Sequence, residues 1–374
     1  MKSLFYCHHS VGIGHLVRTV RLAEASLHNG PVLLMSGGTV PPRLPIDSGI
    51  RIVQLPPLRM NSDNTLVDAS GDANVDKIFE NRKRIAVETI RDFLPDVVVV
   101  EMFPFGRKKF ADEVSSIIET ARENHGVKVI SSVRDVLVTK RRDQDRHDLR
   151  AVTSLNENFD ALLIHSDPKL ISLDATFSTF EEIAIPTFYT GYIGGSRRHR
   201  ESKRLRRIVV SAGGGRVGHE LIDIAMAAHS RIKQELNLDM LLVTGPNGKR
   251  CRIPANGADG PTAVEFIDNM PRTLAESMVS VSQCGYNTAV DVLKTGTPAI
   301  FVPYETASED EQLRRADQLC RKGYAVLLRQ QSLTADSLLD AVSKALSTEQ
   351  ANIDINLDGA ARSGELIREV GHRA

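Results

Sequence analysis

Short runs of apolar residues alternate with amphipathic segments along the chain. In the first half, apolar runs lie at 3–7, 32–35, 51–55, 97–100, 128–131 and 161–164, and 76–93 has the pattern of an amphipathic helix. The same rhythm restarts with apolar runs at 207–211, 240–243, 263–266, 278–281, 299–302 and 325–328. Alternating strands and helices predict an α/β fold with parallel, doubly wound sheets, and the restart predicts two of them.

A glycine-containing, charged segment separates the two halves. Residues 191–206 read GYIGGSRRHRESKRLR and contain little that a core could bury. We therefore expect an amino-terminal Rossmann-like domain at 1–190, a linker at 191–206, and a second Rossmann-like domain at 207–374. The last helix of the second domain is free to pack back on the first. A length of 374 residues suits two domains.

The composition excludes several classes of protein. The 47 Lys and Arg residues balance 47 Asp and Glu residues, which argues against nucleic acid as a partner. The 4 cysteines are scattered without metal-binding or disulfide-framework spacing, so we expect no metal and no cofactor. No apolar run is long enough for a membrane span or a signal peptide. We expect a cytoplasmic protein, with peripheral contact to a membrane as an alternative.

The first apolar run is followed by a glycine turn with a histidine. Gly12, Gly14 and His15 lie where a strand ends and a helix begins, and a third glycine at dinucleotide-binding spacing is missing. The positive end of a helix disfavours the imidazolium form, so His15 is a candidate general base. Glu101 follows the apolar run 97–100 at the same predicted edge of the sheet and is the alternative base.

The second half contains two turns suited to phosphate. The glycine run 213–215 and Arg216 follow a predicted strand, and backbone N–H groups there can approach a phosphate closely. Gly285 precedes a helix predicted from Thr288, with Asn287 or Thr288 as its cap, and the free N–H groups of such a helix suit a diphosphate.

Carboxylates follow these turns. Asp291 lies one turn into the helix and can accept hydrogen bonds from two vicinal hydroxyls. Residues 309–312, EDEQ, open another helix after the run 298–302, and their side chains can bind sugar hydroxyls. Each feature alone is common in α/β proteins. Their combination predicts a nucleotide-sugar site.

These motifs resemble the donor half of family 28 (MurG-like) glycosyltransferases. The resemblance rests on the sequence FIDNM at 266–270, GYNT at 285–288, Asp291, the tripeptide Gly-Thr-Pro at 296–298 and the Glu-Gln pair at 311–312. It implies that Phe266 and Ile267 contact uracil, that Asp291 holds ribose, and that Glu311 and Gln312 reach the sugar. The chain departs from the family pattern by Asp for Glu at 291, Gln for Arg at 283 and Arg for Asn at 315.

The amino-terminal motif is similar to two families. The pattern GxGHxxR at 12–18 resembles both family 28 transferases and the nucleotide-sugar hydrolase of pseudaminic acid biosynthesis, in which the matching histidine activates water. The segments 101–109 and 132–135 look like an uncharacterised glycosyltransferase-like group of the same superfamily.

Together these resemblances imply a GT-B fold, in which two Rossmann-like domains face each other across a cleft. They imply an inverting, metal-independent glycosyltransferase that moves a sugar from a UDP-sugar or related donor to a small-molecule, glycan or lipid-linked acceptor. A hydrolase with His15 activating water, and a binding module without catalysis, are the alternatives. The residues expected at the nucleotide-sugar are Gly12, Gly14, Gly213, Gly214, Gly215, Arg216, Phe266, Ile267, Met270, Gly285, Asn287, Thr288, Asp291, Glu311 and Gln312.

Overall fold

In the computed structural model the chain forms two parallel β-sheets, each flanked by helices. The structure describes residues 1–9, 12–61, 65–68, 70–72, 74–139, 142–195, 204–213, 218–245, 260–307, 309–349, 351–352 and 354–373. Among these residues, no helix combines the length and apolar character needed to cross a bilayer.

The first sheet contains strands from residues 3–189. Its elements, in chain order, are β1 (Ser3–Cys7), α1 (Gly14–Ser26), β2 (Val32–Ser36), β3 (Ile50–Gln54), β4 (Arg59–Met60), β5 (Leu66–Val67), α2 (Asp76–Phe93), β6 (Val97–Glu101), α3 (Ala111–Arg122), β7 (Lys128–Arg134), α4 (Gln144–Asn158), β8 (Ala161–His165) and β9 (Thr187–Tyr189). Seven strands pair in the order β3-β2-β1-β6-β7-β8-β9, all parallel, while β4 and β5 form a separate antiparallel pair.

The second sheet follows the same plan. Its elements are β10 (Leu205–Ser211), α5 (His219–Leu236), β11 (Asp239–Val243), β12 (Thr262–Val264), α6 (Met270–Ala275), β13 (Ser277–Ser282), α7 (Tyr286–Thr295), β14 (Ala299–Phe301), α8 (Glu311–Arg321), β15 (Val326–Leu327), α9 (Ala335–Ser347) and α10 (Gly359–Gly371). Six parallel strands pair in the order β12-β11-β10-β13-β14-β15.

The burial pattern explains why these strands form. Every residue of β1, β2, β6 and β8 is buried, as expected for parallel strands covered on both faces. One apolar cluster covers the outer face of each sheet, and a third runs continuously between the two sheets, from Phe5 through Tyr286 to Ile367. The two domains therefore share a core.

The end of the chain returns to the first domain. Helix α10 packs against α1, and the Asn29 amide donates a hydrogen bond of 2.9 Å to the Gly364 carbonyl. The expectation that the linker contains little to bury is wrong for its first residues, which lie in the same interface. Tyr192 and Ile193 are fully buried, and the Tyr286 hydroxyl accepts a hydrogen bond of 3.1 Å from the Ile193 N–H. Residues 196–203 of the predicted linker lie outside the described residues.

Candidate active site

The strand order of each sheet defines one point where a cleft can form. In the first sheet the chain runs outward from β1 to β3 and then returns to β6, so the order reverses between β1 and β6. In the second sheet the same reversal lies between β10 and β13. Ligands of such sheets bind outside the carboxyl ends of the strands at these points. His15 lies after β1, Glu101 is the last residue of β6, and Gly213 and Gly285 lie after β10 and β13.

His15 and Glu101 are in direct contact. The distance from His15 Nδ1 to Glu101 Oε1 is 2.6 Å, and the same oxygen accepts a hydrogen bond from Arg18 Nη2. The Glu101 side chain is 1% exposed, whereas His15 is 21% exposed. The two residues, considered alternative bases from the sequence, therefore form one pair, in which the histidine is the member that a substrate can reach.

The surroundings determine the charge of this pair. Burial alone raises the pKa of Glu101, but the hydrogen bond from His15 and the charges of Arg18 and Arg107 outweigh it and hold that pKa well below its ordinary value. Burial lowers the pKa of His15 to about 3. The charge of Arg107 also lowers this pKa, whereas the charge of Glu101 raises it. The carboxylate is ionised and the imidazole is neutral near pH 7.

These charge states assign the proton on the ring. An ionised carboxylate can only accept, so the proton between the two side chains belongs to Nδ1 of His15. The other ring nitrogen, Nε2, then carries a lone pair, and it makes no hydrogen bond to the residues that the structure describes. A neutral imidazole oriented in this way is suited to accept a proton from a hydroxyl group.

The start of α7 faces the start of α1. The Asn287 amide nitrogen donates to the Gly14 carbonyl over 3.3 Å, which brings the two helix amino termini together. Helix α7 begins at Tyr286, two residues earlier than predicted, and its N-cap is Gly285. The expectation that Asn287 or Thr288 caps this helix is wrong, since no side chain makes a capping hydrogen bond there. The first N–H groups of α7 are therefore left for a ligand.

The glycine loop after β10 is described in part. Gly213 adopts φ of 61°, a left-handed conformation that favours glycine. Gln283 is buried and lies between the two ends of this loop, because a Cβ on Gly218 would come within 2.8 Å of its Nε2. Gly214, Gly215 and Arg216 lie outside the described residues.

Asp291, which is predicted to contact the donor, has an unsatisfied carboxylate oxygen. Its side chain is 8% exposed, and its Oδ1 is buried without a hydrogen-bond partner among the described residues. Burial raises the pKa of Asp291 to about 6, although the charges of Arg21 and Lys294 lower it. A carboxylate that is buried and unpaired is costly, and hydroxyl donors from a ligand would satisfy it.

Glu311 and Gln312 are already engaged with protein groups. Glu311 is buried, and its two oxygens accept hydrogen bonds from Arg315 and Arg134. The Gln312 Oε1 accepts from the backbone N–H groups of Cys284 and Tyr304, each at 3.1 Å. The expectation that these two side chains bind the sugar stays a prediction, and in this conformation their oxygens are engaged with protein groups. What remains of Gln312 for a sugar is its amide nitrogen.

The remaining predicted contacts belong to both domains. Phe266 is 46% exposed, while Ile267 and Met270 are half-buried and pack against the shared core. An exposed aromatic ring is suited to contact a base. Gly12 is exposed, and Thr288 is half-buried in the first turn of α7.

Sequence reasoning missed the arginines that organise the cleft. Arg18 is buried against Glu101, and its spacing of three residues from His15 on α1 was a usable signal. Arg315 Nε donates to Asp135 Oδ2 at 2.7 Å and Arg315 Nη2 donates to Asp135 Oδ1 at 2.8 Å, with both side chains fully buried. Because Asp135 follows β7 and Arg315 lies on α8, this ion pair joins the two domains.

Residues 208–361 match the model of the glycosyltransferase family 28 C-terminal domain. The carboxy-terminal domain is a family 28 glycosyltransferase domain. Two curated relatives share the name UDP-N-acetylglucosamine--N-acetylmuramyl-(pentapeptide) pyrophosphoryl-undecaprenol N-acetylglucosamine transferase. The relative from Leuconostoc mesenteroides subsp. mesenteroides is 29% identical over 170 residues, 42% of this chain and 47% of its own length. That from an Exiguobacterium species is 31% identical over 179 residues, 46% of this chain and 50% of its own length.

Solved structures extend the likeness to the amino-terminal half. MurG from Acinetobacter baumannii matches with a TM-score of 0.59 and 16% identity over 99% of this chain and 98% of its own. The calicheamicin glycosyltransferase CalG4 matches with a TM-score of 0.60 and 13% identity over 99% of this chain and 94% of its own. These likenesses confirm the GT-B fold around the family 28 domain. The aligned segments of the two curated relatives span about half of their own length.

Proposed function

We propose that this protein is an inverting, metal-independent glycosyltransferase that moves a sugar from a UDP-sugar to a hydroxyl acceptor. The observation that carries this proposal is the neutral His15, held by Glu101, directly beside the start of α7 in the family 28 domain. The curated relatives named above carry UDP-N-acetylglucosamine and a pyrophosphoryl-undecaprenol in their names, which supports a UDP-sugar donor and a lipid-linked acceptor as the first candidates.

The proposed reaction is a single displacement. His15 Nε2 takes the proton of the acceptor hydroxyl while the hydroxyl oxygen attacks the anomeric carbon, and the bond from that carbon to the diphosphate oxygen breaks. Glu101 stabilises the imidazolium that forms, and the proton later passes to solvent. UDP leaves with the bonding electrons, and the configuration at the anomeric carbon inverts.

The departing diphosphate needs stabilisation. The free N–H groups at the start of α7 and the glycine loop after β10 can supply hydrogen bonds to it without a cation. Asp291 would accept hydrogen bonds from the ribose hydroxyls, and Phe266 and Ile267 would contact the base. In this scheme a donor site on one domain faces a base on the other.

The test is to incubate the protein with single UDP-sugars, with and without mixtures of candidate acceptors, and to follow UDP, free sugar and the anomeric configuration of the product. We expect acceptor-dependent UDP release that persists in EDTA, with inversion. Steady release of free sugar that acceptors do not increase would point to the hydrolase instead. Loss of activity in EDTA, restored by magnesium or manganese, would contradict the metal-independent chemistry.

A further inference from the structure

Arg107 lies in the loop that follows Glu101, and this loop is built to hold it in place. Two non-glycine residues of the loop, Met102 and Arg107, adopt positive φ values of 63° and 64°. Such conformations are unfavourable for these residue types and persist where the surrounding structure requires them. The position of Arg107 is therefore imposed by the fold.

Three contacts fix the loop around these two residues. The Met102 N–H donates to the Ser132 carbonyl at 2.8 Å, and the Ser131 hydroxyl donates to the Phe103 carbonyl at 2.7 Å. Phe105 is fully buried and packs edge-to-face on Phe177, with ring centroids 5.0 Å apart. The loop is thus anchored along the residues that precede Arg107.

The guanidinium of Arg107 has no hydrogen-bond partner among the described residues. Its Nε and Nη2 atoms are buried and unpaired, although the side chain as a whole is 17% exposed. The nearest carboxylate oxygen, Glu101 Oε2, is 3.9 Å from Nη2, which is too far for a hydrogen bond, and it too is buried without a partner. Leaving donors of a charged group unpaired is costly.

The other arginines near the cleft differ from Arg107 in this respect. Arg18 donates to Glu101, Arg134 donates to Glu311, and Arg315 forms two hydrogen bonds with Asp135. Each of these three cations has a carboxylate within hydrogen-bond distance. Arg107 instead presents a charge and planar donors beside the catalytic pair without a bonded counter-ion, which is the arrangement that recognises oxyanions.

We propose that Arg107 binds an oxyanion of the acceptor, a phosphate, sulfate or carboxylate, next to the hydroxyl that His15 deprotonates. This inference rests on the proposed function. It assigns the oxyanion to the acceptor because Arg107 and His15 belong to the same domain and approach the same carboxylate, Glu101, whereas the donor elements belong to the family 28 domain. A donor diphosphate that reached across the cleft would offer the same chemistry, and the experiment separates the two.

Binding at Arg107 has a consequence for the base. The charge of Arg107 is one of the influences that lower the pKa of His15, after burial. An oxyanion that neutralises this charge raises the proton affinity of His15 when the acceptor arrives. The acceptor would then help to activate the base that deprotonates it.

The experiment compares the wild-type protein with Arg107→Gln, Arg107→Lys and Lys108→Gln. Lys108 is the matched control, because it is the next residue along the chain, carries the same charge and is exposed. Inorganic phosphate is titrated by calorimetry in saturating UDP, which fills the donor site, with potassium chloride at equal ionic strength as the reference. UDP affinity is measured separately for each variant.

We expect wild-type protein and Lys108→Gln to bind phosphate, and Arg107→Gln to bind it about 10–100-fold more weakly, the worth of a charge-assisted hydrogen bond. Arg107→Lys keeps the charge without the planar fork and should give an intermediate affinity. It also replaces Arg107→Gln as the test variant should circular dichroism show that the glutamine variant is unfolded. UDP affinity should be equal in all four proteins.

Two results would overturn the proposal: phosphate affinity in Arg107→Gln equal to that of wild type, or no phosphate binding to wild type. A parallel loss of UDP affinity in Arg107→Gln would assign the oxyanion to the donor and contradict the acceptor assignment. If UDP does not bind the wild type at all while phosphate binds through Arg107, the proposed function fails and the oxyanion site stands.

Discussion

The two sides of the cleft are prepared to different degrees. On the amino-terminal side, His15 and Arg18 both donate to the same oxygen of Glu101, and Nε2 of the His15 ring is left for a substrate. On the family 28 side, Glu311 and Gln312 contact protein groups, and the buried Asp291 Oδ1 has no partner within the described part of the chain. The proton-transfer chemistry is preorganised, whereas donor binding must exchange or complete existing contacts.

Because of this difference, substitutions on the two sides should change different properties of the protein. Residues around His15 should affect turnover and leave donor affinity alone. Residues on the family 28 side should affect donor affinity or the stability of the fold. The following predictions test this division and run from the largest expected effect to the smallest.

Glu101→Gln should lower turnover by up to about 10²–10⁴-fold, the usual contribution of a positioned general base, because it removes the group that orients His15 as that base. The amide keeps the shape of the side chain but removes the charge that pairs with Arg18 and fixes the proton on Nδ1 of His15. Turnover is measured as UDP release at saturating donor. Glu113→Gln is the matched control, because Glu113 is also a buried glutamate paired with an arginine, Arg82. If both variants lose turnover equally per folded molecule, the special role of Glu101 is wrong.

Arg315→Met should lower the free energy of unfolding by about 3–5 kcal/mol, because it leaves Asp135 buried without its ion-pair partner. Denaturant titration measures this change. The control is Arg84→Met at the exposed Arg84–Glu88 pair, which should cost about 0.5 kcal/mol or less. Equal stability losses in the two variants would show that the ion pair between the domains is not a structural element.

Asp291→Asn should weaken UDP-sugar binding by about 1.5–3 kcal/mol, because an amide cannot replace charge-assisted hydrogen bonds from two hydroxyls. Calorimetry with a UDP-sugar measures the change. Asp340→Asn, the same change at an exposed carboxylate of α9, is the control. Unchanged affinity in Asp291→Asn would remove the ribose assignment.

The two sides should also respond differently to acid. The pKa of His15 is lowered to about 3, so the ring stays neutral and turnover at saturating donor should vary little between about pH 8 and pH 5. The pKa of Asp291 is raised to about 6, so its carboxylate is protonated as the pH falls through that value, and donor affinity should fall with it. The Asp291→Asn variant should lack this fall. Turnover that halves near pH 6.5 would contradict the neutral, buried state of His15.

The sequence predicted elements better than contacts. The glycine turn before His15 and the apolar run before Glu101 were enough to place both residues at one edge of a parallel sheet. Their contact joins residues 86 positions apart, and the spacing between them contains no signal for it. The pair of Arg315 and Glu311 could be predicted from its helical spacing. The contacts of these two residues with Asp135 and Arg134 could not, because those residues are distant in sequence.

The errors have physical causes. The linker as a whole seemed to lack a buried part because residues 191–206 are rich in glycine and charge, yet Tyr192 and Ile193 are buried between the domains. The contacts of Gln312 with the backbone N–H groups of Cys284 and Tyr304 could not be predicted, because no side-chain pattern reveals them. A glycine N-cap at Gly285 made the helix start earlier than the capping preference of Asn287 and Thr288 indicated.

The role of His15 as the base is tested most directly by the turnover and donor affinity of His15→Asn, measured together on folded protein. We predict a loss of turnover of about 10²–10⁴-fold with the dissociation constant for the UDP-sugar unchanged, because the base and the donor site belong to different domains. Turnover near the wild-type value, or a loss of donor affinity that accounts for the whole effect, would contradict it.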